Sequence, residues 1–147
     1  MKQSIEVVEA PVIARRMEEA QRLSALPTAF GRHWLRFEQS VYAAMNELTK
    51  EYTGGYWDFY ELSNGGFYMA PQQAAGFTFS VVGNGYEGHM SADAAGITAC
   101  LFVLSHLSFA LEGVDEPACR KVADYFHLLR DFAAEHAEAA EIFSAID

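Results

Sequence analysis

The sequence predicts an α+β fold, with N-terminal helices, an antiparallel β-meander of about four strands, then a buried helix and C-terminal helices. Three observations predict it. The middle of the chain holds short aromatic and β-branched runs separated by Asn-Gly-Gly and Gly-Asn-Gly, which is strand and hairpin chemistry. The regions on either side carry apolar residues at three- and four-residue spacing, which is helix chemistry. The strand signals follow one another through short connections, so the strands pair antiparallel rather than through helical crossovers.

The elements follow in order. Ile5 to Val8 reads as a short extended segment, within a first ten residues expected to be extended or poorly ordered. Pro11 suits the first turn of a helix, and Ile13, Met17, Ala20 and Leu23 fall at helical spacing to about Ser24. Pro27 and Gly31 then punctuate a connection. A longer helix is expected from about His33 to Tyr52, with Leu35 or Trp34, Phe37, Val41, Met45 and Leu48 as its apolar face, stopped by Gly54 and Gly55. Strands are expected at Tyr56 to Leu62, Phe67 to Ala70, Phe77 to Val82 and Tyr86 to Met90. Phe77, Phe79 and Val81 face the core, while Thr78 and Ser80 face out.

Ser91 or Asp93 caps the next helix, because either side chain can accept a bond from a free first-turn amide. That helix, Ala92 to Leu111, is apolar nearly all round, the mark of a central buried helix. Asp115 caps another, with Pro117 in its first turn and a stripe of Ala118, Val122, Tyr125, Phe126, Leu129, Phe132 and Ala133. The tail from His136 to Ile146 reads as helical, docked by Ala140, Phe143 and Ile146. With 147 residues and no linker, repeat or low-complexity block, one domain is expected over residues 1–147.

The tract Gly54 to Pro71, GGYWDFYELSNGGFYMAP, is the densest in information. Asn64-Gly65-Gly66 allows the positive φ angles of a tight reversal, and Pro71 cannot donate to a ladder and so ends the second strand. Trp57, Phe59 and Glu61 point one way; Tyr56, Asp58, Tyr60 and Leu62 point the other. Both faces carry rings, and two readings fit. In one, the second face lies under a loop or helix. In the other, Tyr56, Asp58 and Tyr60 belong to a recognition surface, where tyrosines are enriched.

This tract resembles the signature of the ArdB/KlcA antirestriction family. The resemblance continues through RLSALPTAFG (Arg22 to Gly31), GNGYEGHMSADAAGI (Gly83 to Ile97) and YFHLLRDFAAEHAEAAEIFSAID (Tyr125 to Asp147), and so spans nearly the whole chain after about residue 20. It implies a small protein of plasmids, phages and integrated elements that relieves type I restriction–modification of incoming unmodified DNA. It further implies no cofactor, a non-enzymatic action, and a mode distinct from that of the highly acidic DNA-mimic antirestriction proteins.

Charge bounds the function independently. Net charge is −10, and from Glu51 to Cys119 there is no Lys or Arg. Such a field repels nucleic acid and attracts basic partners, so direct DNA binding through phosphates is not expected. Extended DNA mimicry is not expected either. A chain this size is roughly 40 Å across, and B-DNA of that length carries about 24 charges, about half of them on one side. The acidic residues here alternate with core positions on several elements. The N-terminus lacks an apolar h-region and a cleavage site, and the apolar run Ile97 to Leu111 reads as too short and too polar to span a membrane, so a soluble, cytoplasmic protein is expected. Cys100 and Cys119, the two cysteines, read as free thiols.

No catalytic constellation is legible. Of five histidines, none lies in HExxH, and no cysteine pair has zinc-site spacing. His106 reads as a hydrogen-bonded core histidine; His127 and His136 read as lying on or near solvated helix faces. GNGYEG lies between two β-like runs rather than opening a helix, so it reads as turn geometry and not as a dinucleotide loop. Asp93 reads as a helix-start carboxylate; Glu87 is near in sequence, but nothing pairs them as acid and base. The sequence therefore points to action by protein–protein contact, with Tyr56, Asp58, Tyr60, Glu61, Asn64 and Glu87 as candidate contacts. The expected partner is the type I restriction endonuclease complex or an associated host protein. A general acidic interaction module unrelated to restriction, and a small enzyme with an unrecognised site, remain as alternatives.

Overall fold

A computed structural model describes residues 10–147; the expected extended segment at Ile5 to Val8 lies outside them. The chain runs β1 (Ala14–Arg16), α1 (Glu19–Phe30), a single 3-10 turn (Gly31–His33), α2 (Trp34–Leu48), β2 (Trp57–Leu62), β3 (Phe67–Pro71), β4 (Phe77–Val81), β5 (Tyr86–Met90), α3 (Ala92–Leu111), α4 (Glu116–Ala134) and α5 (Ala139–Ile146). The class is α+β, as expected, and all four expected strands form within a residue or so of their predicted ends.

Their assembly differs from one meander. β1, β2 and β3 make a three-stranded antiparallel sheet, and β4 and β5 a separate antiparallel pair. The reason is what occupies the outer edge of β3. Pro71 has no amide to extend the ladder, and α3 takes the edge instead: the Cys100 thiol donates to the Met69 carbonyl at 3.6 Å. α3 approaches so closely because residue 96 is glycine. A Cβ there would lie 2.4 Å from the Met69 oxygen and 2.5 Å from the Ala70 Cα.

β1 is the second departure, since residues 14–16 were expected in a helix. They pair with β2 in the register Ala14↔Leu62, Arg15↔Glu61, Arg16↔Tyr60. The Met17 amide donates to the Phe59 carbonyl at 2.8 Å, and the Ile13 amide donates to the Ser63 hydroxyl at 2.8 Å. The helical spacing of Ile13 and Met17 is a weak local signal, whereas β2 presents a row of backbone groups that must find partners. The helix begins later, at Glu19, and runs through Pro27 to Phe30, with Leu26, Ala29 and Phe30 buried. Burial of this last turn outweighs the amide that Pro27 lacks. The chain turns only at Gly31, whose φ is +52°. α2 stops at Leu48, earlier than expected, and Gly54 and Gly55 (φ +91° and +115°) redirect the chain after it.

The β2–β3 hairpin is enclosed on both faces. On one, Phe67 meets Phe30 of α1 and Phe37 of α2 at centroid distances of 5.6 and 5.7 Å, and Trp57 meets Tyr42 at 5.3 Å. On the other, Tyr68 stacks on Phe132 of α4 at 5.7 Å, and Ala70 lies under Gly96 of α3. Every residue of β3 is buried, so the covered-face reading holds for that strand; on β2, Asp58, Tyr60 and Glu61 stay half-buried.

α3 sits at the centre with Ser91 as its cap, the Ser91 hydroxyl accepting from the Ala94 amide at 3.1 Å. Ala94, Ile97, Leu101 and Leu104 are buried around it. By length and composition alone α3 would suffice to cross a membrane, contrary to the sequence expectation, but most of it is enclosed by the fold. His106 is exposed on α3 and is not a core histidine, because its position turns toward a gap between α3 and α2. Asp115 caps α4 by accepting from the Ala118 amide at 3.3 Å. α5 docks through Ile142 and Ala145, with Phe143 and Ile146 half-buried and Ala140 exposed. The α4–α5 turn sets this phase, which the Ala-rich tail could not show.

Gly96→Ala is expected to destabilise the protein by about 1–3 kcal/mol through overpacking against backbone, although alanine is the better helix former. Urea unfolding of the two proteins measures it.

Candidate functional site

Within β2, strand alternation sets Glu61 on the side opposite Asp58 and Tyr60, and Tyr56 precedes the strand. Tyr56 and Glu61 turn toward α1. The Tyr56 ring lies under the Arg22 guanidinium at 4.2 Å, and its hydroxyl donates to Glu19 at 2.9 Å. Glu61 accepts from Arg15 at 2.7 Å and from Gln21 at 2.5 Å, and those two bonds hold its carboxyl below the usual range. Asp58 accepts from the Gln72 amide at 3.1 and 3.2 Å. Tyr60 stacks on Tyr68 with centroids 4.7 Å apart. Asn64 ties the hairpin tip to α4: its amide donates to the Leu128 carbonyl at 2.9 Å, and its oxygen accepts from the Gly66 amide. Glu87 is exposed on β5, opposite Ser80, in the other sheet. The structure therefore does not gather the six into one patch.

What it does gather is a cluster the sequence did not reveal. The Tyr68 hydroxyl donates to Asp93 Oδ1 at 2.6 Å, and His136 Nε2 donates to Asp93 Oδ2 at 2.8 Å. The Glu138 amide donates to His136 Nδ1 at 2.9 Å. In the neutral ring Nδ1 accepts in this arrangement, which places the single ring proton on Nε2. The Glu138 carboxylate in turn accepts from the Ser91 amide at 2.8 Å and from the Ser91 hydroxyl, and the Tyr86 hydroxyl donates to Glu141. β3, the start of α3, the α4–α5 turn, β5 and α5 thus converge through side chains. His136 is well buried in that turn, not on a solvated helix face, whereas the Asp93 side chain stays 39% exposed. No local signal could pair residues so far apart in the chain.

The ionisation of the cluster follows from its contacts. Burial raises the Asp93 carboxyl, but the bonds from His136 and Tyr68 outweigh it and leave it below the usual range. The Asp93 bond raises His136 against the opposing effect of burial, with the Asp93 and Glu138 charges adding to the rise. Burial, then Asp93, push the Tyr68 phenol well above its ordinary range, so it remains a donor. Tyr60 is raised by burial, then by Asp58 and Asp93; Tyr86 is raised to about 12 by burial, then by Glu141 and Glu138. The contacts themselves link Tyr60, Tyr68, Asp93, His136, Glu138 and Ser91 in series, with Tyr86 and Glu141 paired beside them and Asp58 on the same side of β2 as Tyr60, an acidic and tyrosine-rich strip.

The Ser91 hydroxyl is turned to Glu138 and to its capping bond, so it forms no nucleophile–base pair with His136. Among the described residues, no three His, Cys, Asp or Glu side chains are placed to hold a metal. A second ionic group, Arg32 and His33 on Asp115 at 3.0 and 2.9 Å, braces the start of α4 against the α1–α2 connection.

The Asp93–His136 pair predicts a pH window. Asp93 is lowered from 3.8, so its contribution is full above that value and is lost as pH falls through the folded value. His136 is raised from 6.5, so its contribution is full below that value and is lost as pH rises through the folded value. Stability contributed by the pair is therefore greatest between them. Asp93→Asn is expected to remove the decline in urea midpoint on the alkaline side of 6.5, measured as midpoint against pH for both proteins.

The comparisons with known proteins agree with this architecture. The family model described as "Antirestriction protein" matches residues 50–147. Antirestriction protein KlcA of Escherichia coli is 49% identical over 140 residues, covering 95% of this chain and 97% of that protein. The uncharacterized protein YafX of Escherichia coli (strain K12) is 36% identical over 133 residues, covering 88% and 84%. A solved KlcA/ArdB structure superposes with a TM-score of 0.85 at 50% identity, covering 97% of this chain and 100% of that one. It is described as a novel fold with antirestriction activity against type I DNA restriction systems in vivo but not in vitro. Identity at this level over nearly the full described length, on a shared fold, places the chain in the antirestriction protein family of KlcA and ArdB.

Proposed function

We propose that this protein relieves type I restriction of incoming unmodified DNA by touching another protein, with no cofactor and no chemistry of its own. The observation that carries the proposal is the acidic, tyrosine-rich strip on a rigidly packed scaffold. Asp58, Tyr60, Asp93 and Glu138 present carboxylates and phenols held by hydrogen bonds, and a partner with basic side chains complements them. From Glu51 to Cys119 there is no Lys or Arg, which disfavours DNA as the direct ligand, while Arg16 of β1 stands opposite Tyr60 at one end of the strip.

The activity of the KlcA/ArdB relative in vivo but not in vitro fits a mode that needs a further cellular component. The partner is accordingly the restriction complex in its cellular state or a host protein that works with it, and the site of action is the cytoplasm. Asp58 is the residue of choice on the strip, because its described hydrogen-bond partner is the Gln72 side chain and its replacement spares the core.

Asp58→Lys is expected to lower protection of unmodified phage in a type I restricting host by about tenfold or more, equivalent to about 1.4 kcal/mol of lost contact. The readout is plating efficiency, with thermal unfolding to show that the variant folds. Undiminished protection by the folded variant removes this surface. Equal plating with and without the unaltered protein would instead favour an acidic interaction module unrelated to restriction.

A further inference from the structure

A groove of about 530 Å³ lies between α2, α3 and the turn joining β4 to β5, and it shares no residue with the acidic strip. Its inner wall is apolar: Leu48 and Val81 are buried there, and Phe102 is half-buried. At its lip, in the β4–β5 turn, Val82 is 96% exposed, an apolar side chain left wholly in water. The outer wall carries charge. Arg36 and Glu47 line the groove from α2, both exposed, and neither is in an ion pair among the described residues. They stand about three turns apart, roughly 16 Å along the helix axis.

We infer that this groove docks an amphipathic helix of a partner protein. The inference rests on the protein-contact reading above but uses a different face of the molecule. Length and charge together select the occupant. An apolar trough between two helices accepts a third helix through residues spaced i, i+3/i+4 and i+7. A cation at one end and an anion about three turns away complement a helix of that length with a carboxylate at one end and a basic group at the other. A single compact anion or cation would satisfy one end and face the like charge of the other. The exposed Val82 supplies an apolar contact that closes over the docked helix, and the exposed His106 stands on the facing wall, next to Phe102 at a ring distance of 6.4 Å.

The experiment titrates a stapled helical peptide of about three turns into the isotope-labelled full chain; the peptide has leucines on one face, Glu at one end and Lys at the other. Saturable amide shifts confined to α2, the middle of α3 and the β4–β5 turn are the expected result. Ala43→Glu and Val82→Asp, both at exposed positions lining the groove, should each weaken binding about tenfold. Arg36→Glu should weaken it similarly and favour a peptide with Lys at both ends. Absence of saturable shifts, shifts elsewhere, or unaltered affinity in the variants overturns the inference. So does a dimer of the chain that buries this groove in sedimentation measurements.

The phage-plating assay separates this inference from the preceding one. With the unaltered protein protecting, folded Ala43→Glu and Val82→Asp should lose about tenfold of that protection; full protection shows the groove unused and leaves the acidic strip unaffected. Should the unaltered protein give no protection, the antirestriction proposal fails and the peptide titration alone decides the groove.

Discussion

The backbone contact between α3 and β3 at Gly96 is the constraint on which the other features depend. α3 has little polar surface to give to water, so it is stable only if most of it is enclosed. Glycine lets its axis come within contact of the Met69 carbonyl and Ala70. That approach closes the outer edge of β3, which prevents β4 from continuing the sheet and leaves β4 and β5 as a separate pair. It also sets the start of α3 beside Tyr68, and so decides where Asp93 stands.

From that placement the polar cluster follows. A carboxylate in the first turn of a helix already interacts favourably with the free amides there. Here it also receives a phenol from the sheet and an imidazole from the α4–α5 turn. Glu138 repeats the arrangement one step further along by binding Ser91. The C-terminal helix is thereby tied to the middle of the fold by hydrogen bonds as well as by Ile142 and Ala145. The same carboxylates, partly open to solvent, form the surface proposed for contact, so holding the fold together and meeting a partner draw on one set of groups. An Asp93 carboxylate stripped of His136 would cost folding energy, whereas one supported by it can face a basic side chain without rearrangement.

Much of the fold was legible because its signals are local. Ser91 and Asp115 are caps that act within one turn, and Asn64-Gly65-Gly66 is a turn whose chemistry requires nothing distant. The α2 face of Phe37, Val41, Met45 and Leu48 appears in the sequence as a helical stripe and in the fold as a buried one. Where local and distant demands conflicted, the distant demand prevailed. Residues 14–16 left a helical pattern to complete β2, and Pro27 remained inside α1 because its turn carries the buried Phe30. His106 was misread for a related reason: a helix that is apolar in composition can still turn one position toward a groove.

The proposed contact surface keeps the acidic and tyrosine character that the sequence suggested, but not its membership. Strand alternation separates Glu61 from Asp58 and Tyr60, Tyr56 precedes the strand and is held by Arg22 and Glu19 of α1, Asn64 is occupied as a tie, and Glu87 belongs to the other sheet. Composition, element order and family were set by the sequence itself, since charge, spacing and turn chemistry are properties of neighbouring residues. Which strands share a sheet, and which phenol and imidazole meet Asp93, only the tertiary structure decided. Those choices depend on how closely two backbones can approach, and that is a property of groups brought together from distant parts of the chain.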